Sequence, residues 1–136
     1  MIHSKDYNFS FSGLKTAVLY YIRDHGPLTE KLKSQIAREF EDAVVEVLVR
    51  KTIRAIKQYK IKTLIVGGGV SANTYLRESL KKACKKEKIK IDIYFPVKNL
   101  STDNALMIAI AGYFRFTKNK KYKTPKEMRA IGNLAL

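Results

Sequence analysis

The hydrophobic positions of this chain change period several times, and each change marks an element. Tyr7, Phe9 and Phe11 alternate with Asn8 and Ser10, the two-residue period of a half-buried strand. Ser12-Gly13 then turns the chain. Leu14, Ala17, Val18, Tyr21 and Ile22 follow at the spacing of an amphipathic helix of about three turns. His25-Gly26-Pro27 stops it, because a proline ring can neither donate to nor fit inside a helical turn. Residues 28–33 mix two leucines with polar side chains and fit neither period. A second, longer helix is expected from Ser34 as N-cap, with Ile36, Phe40, Ala43, Val44, Val47 and Leu48 on one stripe and Ile53 and Ile56 extending it.

The second half repeats strand and helix. Ile61 to Val66 is a mostly apolar run, read as a buried strand, and Gly67-Gly68-Gly69 is a turn. Ser71 to Asn73 opens a helix with Tyr75, Leu76, Leu80 and Ala83 inside and Arg77, Glu78, Lys81, Lys82 and Lys85 outside. Ile89, Ile91, Ile93 and Phe95 alternate with Lys90, Asp92 and Tyr94, a strand ended by Pro96 and suited to a sheet edge. Ser101-Thr102-Asp103-Asn104 reads as a capping cluster before Ala105 to Gly112, a helix apolar nearly all round that should be tightly buried. Lys118 to Leu136 is basic and then mildly apolar, broken by Pro125, and reads as a tail or docking arm. The expected organisation is a folded segment over residues 1–116 and a basic tail over 117–136. Strands alternating with helices predict an α/β fold, its two later strands parallel across a helical crossover. Three strands with at least four helices leave a sheet face or edge uncovered, so additional strands or a partner are expected.

Composition adds a charge problem to this picture. The 136 residues, 46% of them apolar, suffice for one domain with a core. Lys and Arg number 27 against 12 Asp and Glu, a net charge of +15. That excess favours a polyanionic partner, although a lysine-rich proteome would produce the same balance. A lone Cys84 excludes an intrachain disulfide framework and any multi-cysteine metal site. No signal-type apolar core opens the sequence, and no segment reaches the roughly 18 apolar residues of a membrane span. A cytoplasmic protein without a membrane partner is expected.

The glycine stretch is the first candidate for chemistry. A strand that delivers a helix N-terminus across a glycine turn offers N–H donors and the positive end of a helix dipole, which suits nucleotide phosphates. Three consecutive glycines match neither the dinucleotide fingerprint nor the P-loop, and many such turns use glycine for sterics alone. Ser10 and Ser12 lack a matched base, since His25 lies beyond a helix, and Lys15 reads as a solvated or surface-contacting residue.

Three separated stretches carry a family resemblance. They are Phe9-Ser10-Phe11-Ser12-Gly13-Leu14-Lys15-Thr16-Ala17; Gly67-Gly68-Gly69-Val70-Ser71-Ala72-Asn73 with Leu76-Arg77 after it; and Ser101-Thr102-Asp103-Asn104-Ala105. Over residues 7 to 116 the chain resembles the C-terminal part of the tRNA threonylcarbamoyladenosine transferase family (TsaD and its relatives, formerly described as glycoproteases or O-sialoglycoprotein endopeptidases). The Ser-Gly-Leu-Lys-Thr form is closer to the bacterial branch. The resemblance implies part of one lobe of an actin-like (ASKHA, RNase H-like) fold, here a few-stranded sheet with packed helices. It also implies transfer of a threonylcarbamoyl group from threonylcarbamoyl-AMP to N6 of adenosine 37 in ANN-decoding tRNA. Partner proteins of the TsaB and TsaE types and a separate N-terminal lobe belong to the same expectation.

The family's divalent metal, iron or zinc, is held by a His-x-x-x-His pair and by the aspartate that Asp103 matches. Gly67, Gly68, Gly69 and Asn73 match the wall that faces the nucleotide or the transferred group. Asp103 and Asn73 each keep a plainer reading as helix N-caps. Ala105 stands where many members carry glycine. The only histidines, His3 and His25, are too far apart for the metal pair, so this chain by itself should hold no catalytic metal and transfer nothing. Lys118, Lys120, Lys121 and Lys123 of the tail become candidate RNA contacts. The competing function is a non-catalytic basic module that binds nucleotide, RNA or a partner protein.

Overall fold

A computed structural model of the chain describes residues 2–118. Helix α1 covers Ser12–Asp24 and α2 Glu30–Tyr59; strand β1 covers Thr63–Ile65, α3 Thr74–Lys86, β2 Asp92–Tyr94 and α4 Ala105–Lys118. Single turns of 3-10 helix occupy Gly69–Ala72 and Lys98–Leu100. The chain divides into two units between Ser101 and Thr102.

In the first unit α2 is the backbone of the packing. Its 30 residues give a rod of about 45 Å. It begins earlier than the apolar stripe indicates, because Thr29 rather than Ser34 caps it: the Thr29 hydroxyl accepts from the Leu32 N–H at 3.2 Å. Glu30 then sits in the first turn, favoured by the helix dipole and bonded to Lys33 at 2.6 Å. At the other end Lys60 takes a left-handed conformation (φ 50°) and terminates the helix.

Strands β1 and β2 are parallel, in register Thr63 with Asp92, Leu64 with Ile93 and Ile65 with Tyr94, and α3 is the crossover between them. The expected parallel pair and its helical connection are therefore present. Leu64 and Ile93 face the helices; Ile65 and Tyr94, at 77% and 59% exposure, face away. One end of the core packs Val45 of α2 on Leu76 and Leu80 of α3, with Val66 and Phe95 against them. The other end joins Ile53 and Ile56 to Cys84, with Leu64, Ile89, Ile91 and Ile93 around it. Cys84 is thus a core residue, and burial pushes its thiol up from the ordinary value, which keeps it protonated and inert.

The first expected strand is absent. Tyr7 to Phe11 is not a strand. Its neighbourhood is fastened to α2 by side chains instead: Lys51, buried at 2% exposure, donates to Ser4 Oγ (2.9 Å), Asp6 Oδ1 (3.1 Å) and the Asn8 carbonyl (2.6 Å). Arg54 donates to the carbonyls of Ser4 (2.7 Å) and Asp6 and lies over the Tyr7 ring. Within the stretch the Asn8 carbonyl is satisfied by Lys51, and the Ser4 and Asp6 carbonyls just before it by Arg54. The Lys51 hydrogen bond, helped by Ser4 and the Asn8 N–H, lowers the Asp6 carboxyl to about 2.

In the second unit, α4 buries none of its residues, contrary to the tight burial its composition predicts. Leu106, Met107, Ile108, Ile110, Tyr113, Phe114 and Phe116 are all about half exposed or more. No described residue of that unit supplies a covering surface. The tail expected over 117–136 lies, from residue 119 onward, outside the described residues.

Candidate functional site at the glycine turn

The turn after β1 is built by local sterics and capped from within. One ladder bond beyond the strand, the Val66 N–H donates to the Tyr94 carbonyl at 3.0 Å, and the chain then leaves the sheet. Gly68 has φ 84° and ψ 169°, a conformation open essentially to glycine alone. Open space lies where side chains at Gly67 and Gly68 would be, with no atom within 4 Å. Gly69 starts the 3-10 turn, closed by Ser71 N–H to the Gly68 carbonyl and Asn73 N–H to the Val70 carbonyl, each 3.0 Å.

Asn73 then caps α3: its Oδ1 accepts from the Leu76 N–H at 2.8 Å. Its amide donates to Glu41 of α2 at 2.7 Å. Both ends of the side chain are occupied, and the capping role is real. Three N–H groups of the segment, those of Ser71, Asn73 and Leu76, are spent inside the turn, so any anion is met by the remaining backbone and by Gly67 to Gly69.

Sequence reasoning missed how the turn is clamped. Arg77, expected on the outer face, is half-buried: its Nε donates to the Ser71 carbonyl, a terminal nitrogen donates to the Pro96 carbonyl at 2.7 Å, and the guanidinium lies over Phe95. It ties the glycine turn to the end of β2. From the other side Arg38 donates to Asp42 at 3.0 Å and lies over Tyr75. The Tyr75 hydroxyl first, then Arg38, hold the Asp42 carboxyl below its usual range, and Asp42 in turn raises the Tyr75 phenol. The signal for Arg77 was its place in the first turn of α3, eight residues after Gly69; helical periodicity alone puts it in solvent. Ser71 is fully buried and its Oγ has no partner among the described residues.

Asp103 lies in the second unit, exposed, in the loop before α4. The cap of that helix is Asn104: its Oδ1 accepts from the Met107 N–H at 3.0 Å and its amide donates to the Thr102 carbonyl at 2.8 Å. Asp103 is thereby released from the capping role that was its plainer reading. His25 stacks on Tyr21, with its Nδ1 2.8 Å from the Tyr21 carbonyl. Among the described residues no group of three His, Cys, Asp or Glu could hold a metal ion, so the donor set present does not make the family's metal site. Lys118 ends α4, exposed; Lys120, Lys121 and Lys123 lie outside the described residues. No helix of the described residues is long and apolar enough to cross a membrane.

A family model described as tRNA N6-adenosine threonylcarbamoyltransferase (TsaD) matches residues 1–110. The chain belongs to the TsaD family. Curated TsaD relatives include one from Thermosipho africanus, 44% identical over 140 residues and all of this chain. One from Clostridium novyi is 43% identical over 98% of the chain, and one from Thermosipho melanesiensis 51% identical over 83%. Each carries the name tRNA N6-adenosine threonylcarbamoyltransferase. The chain spans 40%, 39% and 33% of their respective lengths and matches their C-terminal part.

Proposed function

We propose that this TsaD-family chain is the C-terminal lobe portion of a cytoplasmic enzyme that transfers threonylcarbamoyl from threonylcarbamoyl-AMP to N6 of adenosine 37 in ANN-decoding tRNA. The observation that carries the reading is the family match over residues 1–110, which includes both the glycine turn and Asp103. The parallel β1 and β2 pair with its α3 crossover fits one part of an actin-like lobe. In that reading Gly67, Gly68 and Gly69 approach the adenylate, whose backbone contact needs the side-chain-free space beside Gly67 and Gly68. Asn73 acts by holding the turn rather than by touching the nucleotide with its amide, which Glu41 occupies. Asp103 would supply one carboxylate to an iron or zinc ion, with the remaining ligands coming from histidines of an N-terminal lobe.

The test is reconstitution. The chain is mixed with the N-terminal remainder of the Thermosipho africanus relative and with partner proteins of the TsaB and TsaE types, and modified adenosine in tRNA is measured by nucleoside mass spectrometry. The mixture should form product and the chain without that N-terminal part should form none. Asp103→Ala should lower product by a hundredfold or more. Unchanged turnover in Asp103→Ala, or full activity without the N-terminal part, would overturn the reading.

A further inference from the structure

Away from the glycine turn, α2 and α3 enclose a groove of about 630 Å³. Its floor is apolar, with Ile2, Val49, Ile53 and Ala83, and its cations outside the N-terminal clamp are Arg50, Lys57 and Lys86, against one carboxylate, Glu87. Lys51 and Arg54 also line it but are spent on the N-terminal segment, Lys51 on Ser4, Asp6 and the Asn8 carbonyl and Arg54 on the Ser4 and Asp6 carbonyls and the Tyr7 ring. Arg50 and Lys57 stand seven residues apart, two turns along a single face of α2 and about 10 Å at the helical rise.

Arg50 and Lys57 are only loosely neutralised. Arg50 pairs with Glu46 at 2.9 Å and Lys57 with Glu87 at 2.7 Å, but the four side chains are between 43% and 61% exposed. Exposed pairs of this kind contribute little and exchange readily for a stronger anion. A phosphate offers more acceptor oxygens and higher charge density than a carboxylate, and an arginine fork matches it. Three such cations, Arg50, Lys57 and Lys86, over an apolar floor on a chain of net charge +15 suit a string of phosphates better than a single one.

We propose that this groove between α2 and α3 is a contact site for the phosphodiester backbone of RNA. It uses none of the residues of the glycine turn. The choice of RNA rests on the proposed function, since the relatives are named for a tRNA substrate.

The test is binding of an unmodified tRNA transcript to the full 136-residue chain, followed by fluorescence anisotropy across a salt series. One variant carries Arg50→Gln, Lys57→Gln and Lys86→Gln. A second removes the same charge elsewhere in the first unit, through Lys31→Gln, Lys62→Gln and Lys90→Gln, all exposed. Thermal melts establish that both variants fold as the parent does. The groove variant should bind about tenfold or more weakly with a salt slope flatter by about two, and the control should lose about threefold or less. Equal losses in the two variants, no loss in the groove variant, or no tRNA binding by the parent would each overturn the proposal. Reconstituted transfer activity is read separately, so a groove that fails here leaves the transferase reading to its own experiment.

Discussion

Two helices of this chain begin in the same way and end up in opposite circumstances. Asn73 caps α3 and Asn104 caps α4, each with Oδ1 on the N–H three residues on, at 2.8 and 3.0 Å. The amide of Asn73 reaches across to Glu41 of α2, whereas that of Asn104 returns to the Thr102 carbonyl next door. Behind the first cap, Leu76, Leu80 and Cys84 are buried; behind the second, nothing is. A cap starts a helix but does not give it a place. The α3 helix is finished by residues of its own unit, while α4 presents an apolar surface and a free Asp103 to whatever lies beyond its unit. That contrast fits a chain covering two-fifths of a longer relative.

The largest test of the contrast is truncation of the two apolar faces. Leu80→Ala, at a position 2% exposed, should cost about 2–5 kcal/mol in urea denaturation, through lost burial and a residual cavity. Ile108→Ala, at 72% exposure, should stay within about 0.5 kcal/mol of the parent. A comparable loss at Ile108 would mean that α4 is covered in solution. The caps themselves provide a smaller test. Asn73→Ala should lower global stability by about 1–2 kcal/mol, because the Glu41 bond goes with the cap. Asn104→Ala should leave the urea midpoint where it is and speed amide exchange at Met107 alone, as expected when only the first turn of α4 frays.

The smallest effect concerns the N-terminal segment, tied to α2 by Lys51. Asp6 has a folded pKa of about 2, below the ordinary value of about 3.9, so its contribution is present above about pH 4 and is lost as the pH falls toward 2. Asp6→Asn should therefore lower Tm modestly at pH 7 and match the parent near pH 2. A gap between the two proteins that persists at pH 2 would show that the carboxylate charge is not what Lys51 holds.

Much of the first unit was legible because short-range periodicity and long-range packing agree there. The alternation Ile89, Ile91, Ile93 gave a strand whose buried face is the one observed, and the parallel crossover followed from strand, helix and strand in series. The strand expected at Tyr7 to Phe11 failed because alternation reports a two-sided environment, not hydrogen-bond partners; Lys51, more than forty residues away, takes the Asn8 carbonyl, and Arg54 takes those of Ser4 and Asp6 before it. Arg77 was misplaced for the opposite reason, a helical wheel that knows which side is outer but not that the chain returns over it at Pro96. At the candidate site the turn was legible in Gly67-Gly68-Gly69, of which Gly68 takes a conformation that strongly favours glycine, whereas Asp103 and Asn104 are both good caps and spacing alone does not choose Asn104.

The uncovered side of the two-stranded sheet has a colloidal consequence. Ile65 and Tyr94 lie opposite one another in register and are largely exposed, on a protein whose copies repel through +15 charges. In dilute buffer, with a screening length of about 30 Å at 0.01 M salt, that repulsion keeps the apolar faces of two copies apart. At 1 M salt the range shrinks to about 3 Å, shorter than the side chains involved, and the same faces become adhesive. Ionic strength, rather than protein concentration alone, then sets how long this chain stays dispersed.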